Sequence, residues 1–288
     1  MSAVKAPRSR SRLPATAPVV HVRRAYVECR FGQLHLTTAF PSGGGFDELT
    51  PLVCLHQSPA SGRVFTKLLP LIGRDRSVYA VDTPGFGQSD APRTQPSVED
   101  YTAAIGDFLD GMRLRTVDVL GYHTGSAIAT ELALARPQQV RKLVFVAVPI
   151  FTSAERDAFN ARPWPVPQRE DGGHIMDEWQ RTLEWRGPGV TIAELTASFA
   201  EKLRNGEQAW WGASAAMNYP IVERLSRVRQ PALVLRPRDD LWEPTARITK
   251  LLPSVRVVDL PDLGFGLFSA APVEIANHVR EFLDQPVG

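Results

Sequence analysis

The period of the apolar positions changes repeatedly along the chain. Residues 22–30 and 33–40 alternate apolar and polar side chains about Gly32, which predicts a β-hairpin. Residues 52–55 form a short continuous apolar run, the pattern of a buried strand, and a helix is predicted over 62–71. A strand at 77–81 precedes a helix at 98–112, whose Ala103, Ile105, Phe108 and Leu109 form one apolar stripe. Strands follow at 117–120 and 142–148, separated by a helix that ends near Arg136. Further strands at 232–235 and 255–260 and a helix at 273–283 complete the chain. Strands that alternate with amphipathic helices predict an α/β architecture, here a mostly parallel eight-stranded sheet flanked by helices.

The alternation breaks once. Residues 149–226 contain no strand pattern but hold five of the six tryptophans, Trp164, Trp179, Trp185, Trp210 and Trp211. This predicts a helical insertion with its own small aromatic core. Residues 21–148 and 227–288 then form the body, after a basic tail at 1–20. Lys5, Arg8, Arg10 and Arg12 lie in the first twelve residues without an acid; removing them from the net +2 leaves the remaining chain at −2. That balance argues against a nucleic-acid or anionic-membrane partner. The longest apolar run, 143–151, is far short of the ~20 residues that cross a bilayer. Cys29 and Cys54 both lie in strand-like runs and read as buried, reduced thiols. A cytoplasmic protein is expected; the oligomeric state, a homodimer included, is left open.

The chemistry concentrates in Val117-Asp118-Val119-Leu120-Gly121-Tyr122-His123-Thr124-Gly125-Ser126-Ala127. An apolar strand enters a turn flanked by two glycines, and a helix of small residues leaves it. Such a turn exposes its central residue at the carboxyl end of a sheet, where ligands of open α/β folds bind. This segment resembles the nucleophile elbow of the α/β-hydrolase fold, and other segments match in order. Leu55-His56-Gln57-Ser58-Pro59 resembles that family's oxyanion loop, and Asp82-Thr83-Pro84-Gly85-Phe86-Gly87-Gln88-Ser89-Asp90 its D-x-x-G-x-G-x-S motif. Residues 231–240 resemble the strand that carries the acid, and residues 260–265 the loop that carries the base. The resemblance spans about residues 24–286 and implies a helical lid at 149–226, as in haloalkane dehalogenases, epoxide hydrolases, C–C bond hydrolases and cofactor-free dioxygenases.

Two positions depart from that family's catalytic pattern. His123 fills the nucleophile slot, and Phe265 fills the slot of the base. Of the triad only Asp240 remains, with its neighbour Asp239 as competitor; His278 reads as a residue on a helix face. Thr124 and Ser126 are poor substitutes for the nucleophile, because the former offers its backbone N–H and the latter faces the sheet. A serine hydrolase is therefore not encoded at the usual positions. What survives is an oxyanion hole from the backbone N–H groups of Gln57 and Thr124, each such donor worth ~3–4 kcal/mol in known cases. The helix amino end and burial are expected to keep His123 neutral, with Asp240 opposing them. These groups suit a general base, His123, oriented by Asp240.

Around this centre, His174, Trp179, Phe265, Tyr122 and Ser58 are candidate substrate contacts. For His174 the competing reading is a helix start, with Asp171 as its cap. His56 is expected to brace the oxyanion loop, whereas nothing singles out His21 or His35. No metal-ligand spacing and no complete dinucleotide motif is present, so no metal and no cofactor are expected. The sequence thus points to a cofactor-free enzyme on a small apolar, aromatic or polyketide-like carbonyl compound. Lyase, isomerase or cyclase chemistry and water-mediated hydrolysis all remain open, and the second class is a catalytically silent ligand-binding protein.

Overall fold

The computed structural model describes residues 19–44, 48–163, 165–252 and 255–286. Most of the tail, and Trp164, lie outside the described residues, and the first strand already begins at Val20. The strands are β1 (Val20–Cys29), β2 (Gly32–Pro41), β3 (Leu52–Leu55), β4 (Val78–Val81), β5 (Val117–Tyr122), β6 (Val140–Val146), β7 (Ala232–Pro237) and β8 (Arg256–Leu260). They form one eight-stranded sheet in the order β1-β2-β4-β3-β5-β6-β7-β8. Only β2 runs against the rest: it pairs antiparallel with β1 and β4, and the pairings from β4 to β8 are parallel. Gly32 turns the hairpin at φ 113°, in the region glycine alone enters freely.

The helices are α1 (Leu69–Ile72), α2 (Val98–Gly111), α3 (Thr124–Ala135), α4 (Ser153–Asn160), α5 (Gly173–Glu184), α6 (Ile192–Arg204), α7 (Trp211–Asn218), α8 (Ile221–Leu225), α9 (Trp242–Ala246), α10 (Leu267–Ala270) and α11 (Pro272–Leu283). The helix expected over 62–71 is instead a 3-10 turn at Gly62–Phe65 followed by α1. Pro70 explains the break, since it has no N–H to donate to the carbonyl four residues back. Two buried apolar layers cover the sheet. One gathers α2 and α3 through Tyr101, Ile105, Phe108, Ile128 and Leu132, and the other gathers Phe65, Leu69, Phe268, Ile275 and Val279.

Between β6 and β7 the described chain is helical, α4 to α8, apart from a single bridge at Arg186. Among the described residues no common aromatic core gathers the remaining tryptophans. Trp179 packs edge-on against Phe199, with ring centroids 5.1 Å apart, but Trp185 is half exposed and leans on Phe265. Helices α4 and α5 contain no fully buried residue, so this segment is held by its contacts with the body rather than by an interior of its own. Cys29 and Cys54 are unpaired thiols; Cys54 is buried as expected, whereas Cys29, at the end of the edge strand β1, is only half-buried.

Candidate active site

The turn between β5 and α3 places His123 at φ 51°, ψ −114°, a conformation that costs a residue with a Cβ about 1–3 kcal/mol. The flanking glycines are there because nothing larger fits. A Cβ on Gly121 would stand 2.4 Å from the carbonyl oxygen of Gly125, and one on Gly125 would stand 2.1 Å from that of Leu55. The His123 N–H is shared between the carbonyls of Val146 and Ala147, at 3.0 and 3.1 Å, which locks the turn to the end of β6. Ser126 donates to the Gly121 carbonyl at 2.8 Å, pointing into the sheet as expected and away from any substrate.

His123 meets two carboxylates. Its Nε2 lies 2.8 Å from Asp239 Oδ2, whereas its Nδ1 stands 4.0 Å from Asp240 Oδ1, beyond hydrogen-bond reach. The orienting contact expected of Asp240 is thus made by Asp239. The turn after β7 decides this: the Leu241 N–H donates to Asp239 Oδ1 at 2.9 Å, drawing that carboxylate inward, and leaves the Asp240 side chain half exposed. Since Asp239 takes the Nε2 proton, the lone pair of a neutral ring resides on Nδ1. The direction of the His123 shift also differs from the expected lowering. Burial is the largest single influence and lowers its pKa, but Asp239, through charge and hydrogen bond, and then Asp240 outweigh it, and the net shift is upward. For Asp240, desolvation is the first cause of a raised pKa and Asp239 adds to it, against His123.

Aromatic rings enclose the imidazole. Tyr122 meets it edge-on at 4.5 Å and Phe265 lies tilted at 5.2 Å. Tyr122 is 1 % exposed, so it supports the site from below instead of lining it, and its hydroxyl has no partner among the described residues. Burial, then Asp239 and Asp240, push that phenol far above its ordinary range, keeping it neutral.

The oxyanion loop is braced from two sides. His56 Nε2 accepts the Thr83 N–H at 2.9 Å, so its Nδ1–H donates to the Gln57 carbonyl at 2.8 Å, the bracing role expected of it. Burial holds the His56 pKa down, and Asp82 opposes it. Asp82 accepts the Gly62 and Gln88 N–H groups and pairs with His35 at 2.8 Å, a partnership the sequence did not signal. Burial pushes the Asp82 carboxyl up, but the His35 bond and the two backbone donors hold it below the ordinary range. The Gln57 and Thr124 N–H groups have no acceptor among the described residues. Ser58 lies beside them, its N–H 3.4 Å from Thr124 Oγ1 and its Oγ against Gly212 of α7.

The contacts that His174 and Trp179 make are within the helical segment, Trp179 packing on Phe199. His174 Nδ1 accepts the Arg169 N–H at 3.0 Å, and Asp171 accepts the Gly173 N–H at 2.8 Å, the helix-start arrangement. Among the described residues, His123, Asp239 and Asp240 are the one group whose ligand atoms lie close enough to share a metal ion, all within 4.8 Å. Nε2 is hydrogen-bonded to Asp239, which leaves Nδ1 and the Asp240 carboxylate of this group.

Residues 50–233 match the α/β hydrolase fold family. The chain belongs to that family. It is 27 % identical over 254 residues to a poly(3-hydroxyalkanoate) depolymerase of Ectopseudomonas oleovorans, covering 84 % of this chain and 87 % of that one. It is 27 % identical over 222 residues to a 2-hydroxy-6-oxo-2,4-heptadienoate hydrolase of Pseudomonas putida, covering 73 % and 77 %. The enol-lactonase of Burkholderia xenovorans LB400 superposes with a TM-score of 0.74 at 14 % identity, over 91 % of this chain and 100 % of that one. These relatives are named a depolymerase, a hydrolase and an enol-lactonase, which supports an enzyme of the α/β-hydrolase class. No described helix is long and apolar enough to cross a membrane.

Proposed function

We propose that the protein is a cofactor-free enzyme acting on a small carbonyl compound, with His123 as general base and Asp239 as the residue that positions it. The observation that carries this reading is the strained elbow: the backbone cost is retained although the side chain displayed is an imidazole, hydrogen-bonded at 2.8 Å to a buried carboxylate. Asp239 takes the Nε2–H and leaves Nδ1 to accept a proton from the substrate carbon beside its carbonyl, or from a water that attacks the carbonyl. The Gln57 and Thr124 N–H groups then receive the oxygen on which negative charge collects. Asp240, across from Nδ1, stabilises the imidazolium so formed, a secondary role in place of the orienting one.

The matched heptadienoate hydrolase is named for an oxo-acid, which supports a carbonyl substrate here. The helices at 149–226 serve as the lid over this site, and Phe265 as an aromatic contact for the substrate beside the base. The competing reading, a silent ligand-binding protein, draws on Phe265 standing where relatives place their base.

Replacement of His123 by Ala decides between them. Turnover of a panel of small esters, enol lactones and β-diketones should fall at least about 10²-fold, the range of a general base, while the thermal midpoint stays within a few degrees. Turnover unchanged in His123→Ala, or none by the wild type on any substrate in the panel, would overturn the reading.

A further inference from the structure

Beside Asp239, and outside the elbow, a cavity of about 390 Å³ opens between the loop after α5 and the turn after β7. Trp185, Arg186, Arg238 and Trp242 supply its characteristic chemistry; Glu184 and Asp239 also line it. The volume suits a small organic ligand.

Both arginines are exposed, and neither has an acidic partner among the described residues. Their backbones are nonetheless pinned, and to the same short segment. The Arg238 N–H donates to the Leu263 carbonyl at 2.7 Å, and Arg186 forms a β-bridge with Phe265. Gly187 donates to the Phe265 carbonyl at 3.2 Å and has no room for a Cβ, which would stand 2.2 Å from that oxygen. Two arginines are thus anchored by their backbones around one cavity, and a pair of guanidinium groups suits a carboxylate, whose two oxygens match the planar fork.

The tryptophans add the second half of the specificity. One face of Trp242 is covered by the Arg236 guanidinium, 4.0 Å from the ring centroid and itself fixed by Asp259 at 2.7 and 2.8 Å. Trp185 leaves half of its surface open. Asp239 is spent on His123 and on the Leu241 N–H, so Glu184 is the only uncommitted acid among the residues lining the cavity. We propose that the cavity formed by Trp185, Arg186, Arg238 and Trp242 binds a planar organic anion, an aryl carboxylate, with the carboxylate between the arginines and the ring against an indole. The cavity borders the chemistry assigned to His123, because Asp239 belongs to both, and its test reads binding rather than turnover.

The test is titration of the full-length protein with 2-naphthoate, followed by tryptophan fluorescence and calorimetry, with 2-naphthamide and inorganic phosphate as controls. Naphthoate should bind saturably with a Kd below about 1 mM, and the neutral amide at least about tenfold more weakly. Arg186→Ala and Arg238→Ala should each weaken naphthoate about tenfold, with Arg→Lys at either position recovering part of the loss, because charge returns without the fork. Glu184→Gln should tighten it. Equal binding of acid and amide, indifference to both arginines, or no saturable binding would overturn the proposal. Phosphate binding as tightly as naphthoate would overturn the aromatic half of it. Both arginines being exposed, an unchanged thermal midpoint shows that each variant remains folded.

Discussion

Replacing Asp239 by Asn removes the nearer of the two charges that hold the His123 pKa up. Opposite charges about 4 Å apart attract by about 4 kcal/mol at an effective dielectric of about 20. Solvent reaching the 12 %-exposed imidazole side chain reduces this attraction without cancelling it, so the His123 pKa should fall in the variant. Burial, the largest single influence on this ring and a lowering one, is then opposed by Asp240 alone. His123 should therefore drop from above its ordinary value of 6.5 to below it. The Asn oxygen can still accept the Leu241 N–H, but its amide NH₂ then faces Nε2 and favours the tautomer with the proton on Nδ1, the atom assigned as the base. Turnover should fall at least about 10²-fold in step.

Side-chain proton and nitrogen shifts of His123, assigned by difference with His123→Ala, measure the titration directly. The sign extends to stability. A folded-state pKa above the unfolded one contributes stability that is full below the unfolded value and fades as pH rises through the folded value. The advantage of the wild type over Asp239→Asn in denaturant should therefore shrink as pH rises from the ordinary value of 6.5 through the raised folded-state value. A wild-type His123 that titrates below 6.5, or an Asp239→Asn variant in which it does not move, would refute the reasoning.

Three further outcomes follow from the same geometry. Gly125→Ala forces a methyl to within 2.1 Å of the Leu55 carbonyl oxygen and should destabilise the fold by about 3 kcal/mol or more, read as a lowered thermal midpoint; an unchanged midpoint would mean that the elbow is not as tightly closed as described. A serine-directed fluorophosphonate probe should leave the protein unlabelled by intact-mass spectrometry, because Ser126 is bonded into the sheet; stoichiometric labelling would remove His123 from its assigned role. Chelation with EDTA should leave activity and thermal midpoint unchanged, because the hydrogen bond of Nε2 to Asp239 leaves only Nδ1 and the Asp240 carboxylate of the group at His123; a midpoint that falls with chelator and recovers with added divalent ion would contradict this.

The elbow was legible in the sequence because its geometry is written in glycine spacing: Gly121 and Gly125 mark where strand and helix touch. The sheet was legible for a similar reason, since buried parallel strands read as short apolar runs. The choice between Asp239 and Asp240 was not. Both neighbours carry the same side chain, and which one turns inward depends on the Leu241 N–H and on the path of a tight turn. The direction of the His123 pKa shift escaped as well, because burial and carboxylates pull in opposite directions and only the distances decide the balance. For His174 residue type offered two readings, and the local bond to the Arg169 N–H, which sequence does not display, is the one its ring makes. The arginine-lined cavity left no signal, because Arg186 and Arg238 lie 52 positions apart and meet only through the segment that pins both.

The contacts that hold residue 123 in its unfavourable dihedral angles come entirely from main chain: the two carbonyls at the end of β6, and the bare glycine backbones on either side. None of them reads the side chain. The turn therefore works as a socket that accepts different reacting groups without being rebuilt, and the flanking N–H groups of Gln57 and Thr124 belong to the socket, not to its occupant. In this chain the occupant is a histidine, and a change of chemistry in this fold needs no change of architecture.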